Sequence, residues 1–132
     1  MAGCRVEHIG IIVDDLDGSL RLFEDLFGLR AARVQEMDEV GLRVARLDAD
    51  NVHIELIQYT STGESFGRRT MGSVPGYNHI SVEVEDMSEA LKEWSSKGVR
   101  VMEGFPRPGS HGRVAFFEPD STGGLLLEAC ET

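Results

Sequence analysis

With 132 residues, 41% hydrophobic and 27% charged, the chain suits one compact domain or two very small modules sharing a core. A net charge of −10 excludes a general nucleic-acid binder, because phosphate contacts need a basic footprint. No apolar run approaches the roughly 20 residues that span a bilayer, and Met1-Ala2-Gly3-Cys4-Arg5 leads straight into a strand pattern with no room for a signal peptide. A cytoplasmic protein that touches neither membrane nor nucleic acid is expected.

Arg5 to Val13 reads as a strand, with Ile9, Ile11 and Val13 on one face and Val6, His8, Gly10 and Ile12 on the other. Asp14-Asp15-Leu16-Asp17 then places carboxylates where a helix N-terminus favours them. Leu16, Leu20, Phe23, Leu26 and Phe27 recur at helical spacing, and Gly28 supplies the left-handed stop. Three strand candidates follow at Ala32–Glu36, Leu42–Asp48 and Val52–Tyr59, the last after an Asp48-Ala49-Asp50-Asn51 turn. Ser61 to Gly76, rich in Gly, Ser and Thr, reads as a linker.

The pattern then begins again. Tyr77-Asn78-His79-Ile80-Ser81-Val82-Glu83-Val84 repeats the first strand, with Ile80, Val82 and Val84 opposite Tyr77, His79, Ser81 and Glu83. Met87, Ala90, Leu91 and Trp94 continue as a helix expected to stop at Gly98. Strand candidates Arg100–Glu103, Arg113–Phe117 and Gly124–Cys130 complete the copy, with turns at Pro106–Gly112 and Glu118–Gly124. Each copy is β-α-β-β-β, giving a single domain of module 5–60, linker 61–75 and module 76–131.

Each copy carries one histidine in its first strand and one glutamate in its last. His8 and His79 stand 71 residues apart (79 − 8), Glu55 and Glu128 73 apart (128 − 55). A lone histidine on a strand is ordinarily a hydrogen-bonded residue, and His53 and His111 are read that way at first. A carboxylate within an apolar strand is rarer, since burial without a partner costs several kcal/mol. Here it occurs twice, at equivalent places. If the first and last strands of a copy lie side by side and the copies pair, His8, Glu55, His79 and Glu128 converge. Two imidazoles and two carboxylates suit a divalent cation such as manganese, iron, cobalt, nickel or zinc. Cys4 and Cys130 lack metal-type spacing and read as reduced thiols. Arg68, Arg69, Arg107 and Arg113 read either as plain surface or as a local patch for a small anion.

These residues resemble the vicinal oxygen chelate superfamily, that of glyoxalase I, methylmalonyl-CoA epimerase, extradiol dioxygenases and fosfomycin or bleomycin resistance proteins. The resemblance spans essentially the whole chain. It implies an α+β fold in which two tandem βαβββ modules form a curved mixed sheet, a cup around a central metal, with the helices outside. It also implies His8, Glu55, His79 and Glu128 as ligands of cobalt, manganese, nickel or zinc. Four ligands differ from the two His and one Glu of extradiol dioxygenases, and from the bleomycin-binding branch that lacks the metal.

The C-terminal segment is similar to the epimerases, with Pro106-Arg107-Pro108-Gly109-Ser110-His111-Gly112, a strand, then Pro119-Asp120-Ser121-Thr122-Gly123-Gly124 and an apolar strand bearing Glu128. Val44 stands where some epimerases have a second carboxylate. The resemblance implies abstraction of a proton next to a carbonyl, by Glu128 and Glu55 on opposite sides of the substrate, through an enediolate. The leading substrate is methylmalonyl-CoA or another thioester. The alternatives are lactoylglutathione lyase (glyoxalase I) chemistry and a non-catalytic resistance protein. Gly109, His111 and Gly112 would line the thioester, or form no more than a turn, and a homodimer is expected on family grounds.

Overall fold

A computed structural model describes residues 4–131 of the chain. The Met1-Ala2-Gly3 start, read above as leaving no room for a signal peptide, lies outside them. The described residues form two compact units, one of residues 8–78 and one of residues 4–7 with 79–131.

The first unit holds β1 (Val6–Ile12, from His8 on), α1 (Leu16–Phe27), β2 (Ala31–Met37), β3 (Leu42–Asp48), β4 (His53–Tyr59) and α2 (Phe66–Met71). Its strands lie in the order β2-β3-β4-β1, with β1 parallel to β4 and the other pairs antiparallel. Helix α1 starts where the acidic run predicts: Asp15 accepts a hydrogen bond from the Gly18 amide at 3.1 Å. It ends at Gly28, with φ of 69°. Leu16, Leu20 and Phe23 pack on Ala45, Leu47, Ile54 and Leu56.

The opposite face of this sheet is also buried. Ile12, Val40, Leu42, Val44 and Ile57 cluster there beneath Tyr59, Phe66 and Met71. The cover is α2, which lies in the stretch read as a linker. A helix of six residues cannot stand alone, so packing and a cap hold it. Ser65 accepts from the Arg68 amide at 3.1 Å, and the Gly67 amide donates to the Val40 carbonyl at 3.0 Å. A Cβ on Gly67 would come within 2.8 Å of Leu42 Cδ2, so only glycine allows this approach. Residues 61–75 therefore belong to the first unit, and α2 sits on the face of the sheet that α1 does not cover.

The second unit holds β5 (Gly76–Val84, from His79 on), α3 (Met87–Ser95), β6 (Arg107–Pro108), β7 (Arg113–Phe116) and β8 (Leu127–Glu131). The order is β5-β8-β7-β6, with β5 parallel to β8. Asp86 caps α3 by accepting from the Glu89 amide at 3.0 Å. Met87, Leu91 and Trp94 pack on Val82, Ala115, Phe117 and Ala129.

Two sequence expectations shift here. Helix α3 ends at Ser95, three residues before Gly98. The strand expected at Arg100–Glu103 shrinks to one bridge between Val101 and Phe117. The chain leaves the ladder there in a turn, with Phe105 N donating to Met102 O at 3.3 Å and Gly104 at φ 90°. The partner of β7 is instead the two-residue β6, inside the segment read as a turn. Both cysteines are free thiols, and no described helix is long and apolar enough to cross a membrane.

Candidate metal centre

In the first unit, alternation along the strands sets His8, Gly10 and Ile12 of β1 on the same face as His53, Glu55, Ile57 and Tyr59 of β4. Parallel pairing of these two strands puts Gly10 opposite Glu55, so His8 and Glu55 are diagonal neighbours. Their side chains are buried, and His8 Nδ1 lies 3.6 Å from Glu55 Oε2. In the second unit β5 and β8 repeat the arrangement. Ser81 is opposite Glu128, and His79 Nε2 lies 3.6 Å from Glu128 Oε1. Residue exposure is 3% for His8, 4% for Glu55, 6% for His79 and 5% for Glu128.

The separation bears on chemistry. A direct imidazole–carboxylate hydrogen bond closes to about 2.7–2.9 Å. Two donor atoms each about 2.1 Å from one ion stand roughly 3–3.5 Å apart. At 3.6 Å both pairs are too long for that hydrogen bond and stand close to the upper end of the second spacing. The donor set is also right: neutral imidazole and carboxylate are the ligands of borderline divalent ions. Ser81 adds an orphaned polar atom, since it is fully buried and its Oγ has no hydrogen-bond partner among the described residues. Such an atom costs about 1–3 kcal/mol unless something polar reaches it. The residues present fit a divalent ion.

The repeats differ at the strand next to each glutamate. On β3, Arg46 stands opposite Glu55, and its Nη1 is 3.1 Å from Glu55 Oε2. Arg46 Nε also lies 3.7 Å from Asp48, which receives His53 Nδ1 at 2.5 Å. On β7, the residue opposite Glu128 is Phe116, whose ring meets the His79 ring edge-on at 4.9 Å between centroids. Arg46 was not singled out in the sequence. Its signal is register: nine residues before Glu55, across a short turn, on the same face.

The segment expected to line a thioester has a plain structural account. Gly109 N donates to Gly112 O at 2.8 Å, closing the β6–β7 turn, and a Cβ on Gly109 would meet Val114 Cγ1 at 2.8 Å. Gly112 has φ of 77°. The turn is pinned to its own unit by Cys130, whose Sγ donates to the His111 carbonyl at 2.9 Å. His111 Nε2 lies 3.9 Å from the buried Glu7. Glu7 also escaped the sequence reading, because strand parity sets it opposite His8.

A model of the glyoxalase/bleomycin resistance protein/dioxygenase superfamily matches residues 7–117. The chain belongs to this superfamily. An ethylmalonyl-CoA/methylmalonyl-CoA epimerase of Cereibacter sphaeroides is 30% identical over 127 residues, covering 94% of this chain and 95% of that one. The uncharacterized protein YqjC of Bacillus subtilis is 30% identical over 128 residues, covering 96% and 91%. The crystal structure of methylmalonyl-CoA epimerase from Mycobacterium tuberculosis superposes with a TM-score of 0.84 at 26% identity, covering 96% and 87%. The α+β architecture of βαβββ repeats is that of the superfamily, divalent-metal binding occurs among its members, and His8 in the first unit and His79 and Glu128 in the second are candidate ligands in this chain.

Proposed function

We propose that this protein is a divalent-metal-dependent epimerase acting at the carbon next to the thioester carbonyl of methylmalonyl-CoA or a close analogue. The observation that carries the reading is the buried His–Glu pair repeated in each unit at 3.6 Å. Kinship with an acyl-CoA epimerase at 30% identity supports the substrate class. In this reading His8, Glu55, His79 and Glu128 jointly hold one ion of cobalt, manganese, nickel or zinc. When bound, the ion supplies Lewis-acid stabilisation of negative charge developing on the carbonyl oxygen.

The chain's own groups handle the proton. Glu128 takes it from the α-carbon, within hydrogen-bond reach. His79 lies 3.6 Å from this carboxylate, and Phe116 braces the His79 ring edge-on. Return of a proton to the opposite face inverts the centre, and Glu55 serves that face. Arg46 orients Glu55 through its Oε2 atom. His111, carried on the Gly109–Gly112 turn, contacts the thioester side. The protein works as a homodimer in the cytoplasm.

The test is proton exchange. Metal-loaded protein in deuterated water is expected to wash deuterium into the α-position of single-epimer methylmalonyl-CoA while racemising it. Turnover of the methylglyoxal–glutathione hemithioacetal alone would move the assignment to lactoylglutathione lyase. Ligand binding that survives metal removal, with no exchange, would make it a binding protein.

A further inference from the structure

Most arginines of this acidic chain are spoken for by carboxylates: Arg69 by Glu64 at 3.7 Å, Arg113 by Glu131 at 3.6 Å, Arg43 by Glu36 at 2.8 Å. Arg68 differs. Its Nε donates to the Gly63 carbonyl at 3.1 Å, Nη1 to Ser73 Oγ at 3.0 Å and Nη2 to the Ser61 carbonyl at 2.6 Å. All three acceptors are neutral. A guanidinium has five N–H groups, so one on each terminal nitrogen is left over. The cation also lies over the Tyr59 ring, 4.2 Å from its centroid. Its position is fixed from several sides, and its charge is not cancelled by them.

Arg68 and Ser73 line a cleft of about 260 Å³, together with the hydroxyl-bearing run Thr60-Ser61-Thr62. Pockets for whole drug-sized ligands run about 300–1,000 Å³, so this one suits the end of a ligand. It lies where β1 and β4 end, at Ile12 and Tyr59. These positions are four residues along each strand from His8 and Glu55, about 13 Å at 3.3 Å per residue. A held arginine surrounded by hydroxyls, at that remove from a reacting centre, matches an anionic group on a long arm.

We propose that the Arg68 cleft is a phosphate subsite that binds the phosphorylated nucleotide end of a coenzyme A thioester. The proposal rests on the acyl-CoA reading above for its ligand and on Arg68 for its chemistry. Charge-assisted hydrogen bonds from the two remaining N–H groups hold phosphate oxygens, with hydroxyls of the 60–62 run beside them. Asp14, which also lines the cleft, opposes the anion and limits affinity.

The test is calorimetric titration of full-length protein with coenzyme A and with inorganic pyrophosphate, alongside kinetics on methylmalonyl-CoA and on a methylmalonyl-pantetheine thioester lacking phosphates. Arg68→Ala is expected to weaken coenzyme A binding at least tenfold and to raise KM for the CoA substrate. KM for the truncated thioester, which has no phosphate to lose, should rise far less. Because Arg68 also braces its loop, Thr62→Glu provides a second route: an exposed site without such bonds, where added negative charge should weaken binding similarly. Asp14→Asn should strengthen it. Arg68-dependent coenzyme A binding without epimerisation would keep the subsite and remove the reaction. Epimerisation with coenzyme A affinity indifferent to both Arg68→Ala and Thr62→Glu would overturn the subsite and keep the reaction.

Discussion

The two repeats place the same histidine and glutamate on the same pair of parallel strands, yet surround them differently. In the first, the strand beside Glu55 brings Arg46, and a short helix, α2, covers the apolar half of the same face. In the second, the strand beside Glu128 brings Phe116. The contrast teaches a division of labour. A glutamate whose oxygen is held by a guanidinium at 3.1 Å has a fixed orientation and a shared charge. A glutamate set against an aromatic ring and an imidazole keeps more of its capacity as a base.

The sharpest way to break this contrast is to remove one carboxylate at a time. Glu128→Gln should lower turnover by about 10³-fold or more while retaining the ion, as loss of a general base does. Glu55→Gln should cost markedly less in α-proton exchange, because Glu128 remains to take the proton, while still slowing inversion. Equal losses of exchange would erase the distinction between the repeats.

Arg46 tests the other side of it. Removing one member of a buried ion pair costs about 3 kcal/mol. Arg46→Met should therefore destabilise the metal-free protein by about that much in denaturant unfolding. Added divalent ion, by taking over the charge of Glu55, should narrow the gap. A variant as stable as the parent without metal would show that Glu55 does not depend on Arg46.

A smaller effect should separate the faces. Gly67→Val forces a side chain into Leu42 and the Val40 carbonyl, and overpacking costs about 1–3 kcal/mol. The loss should appear as local amide exchange in residues 61–75, leaving β5–β8 protected.

The smallest is a titration. Burial pushes the Tyr59 hydroxyl up to about 12, with Arg68 opposing the shift. Unfolded tyrosine ionises near 10, so the folded form holds the proton longer. This contribution is full below pH 10 and lost as pH climbs towards 12. Absorbance titration should show a late phenolate component that Tyr59→Phe deletes.

Much of this was legible in the sequence because it depends on period and repetition. The alternation in β1 and β5, the acidic start of α1 that Asp15 caps, and the recurring His and Glu follow from local chemistry. What was hidden depends on approach between distant segments. Helix α2 looks like linker because it is only six residues long and follows a Gly-, Ser- and Thr-rich run, and its stability comes from Phe66, Met71 and the bare Gly67 packing on the sheet. Arg46 looks like a surface arginine until register sets it opposite Glu55. The strand expected at Arg100–Glu103 has the right residues, but a turn at Gly104 takes it off the ladder.

The central claim is that the two His–Glu pairs serve one ion. Protein stripped with chelator, reloaded and analysed for bound metal should hold one divalent ion per chain. His8→Ala and His79→Ala should each abolish it. Two ions per chain, or retention of a full ion when either histidine is removed, would contradict the account.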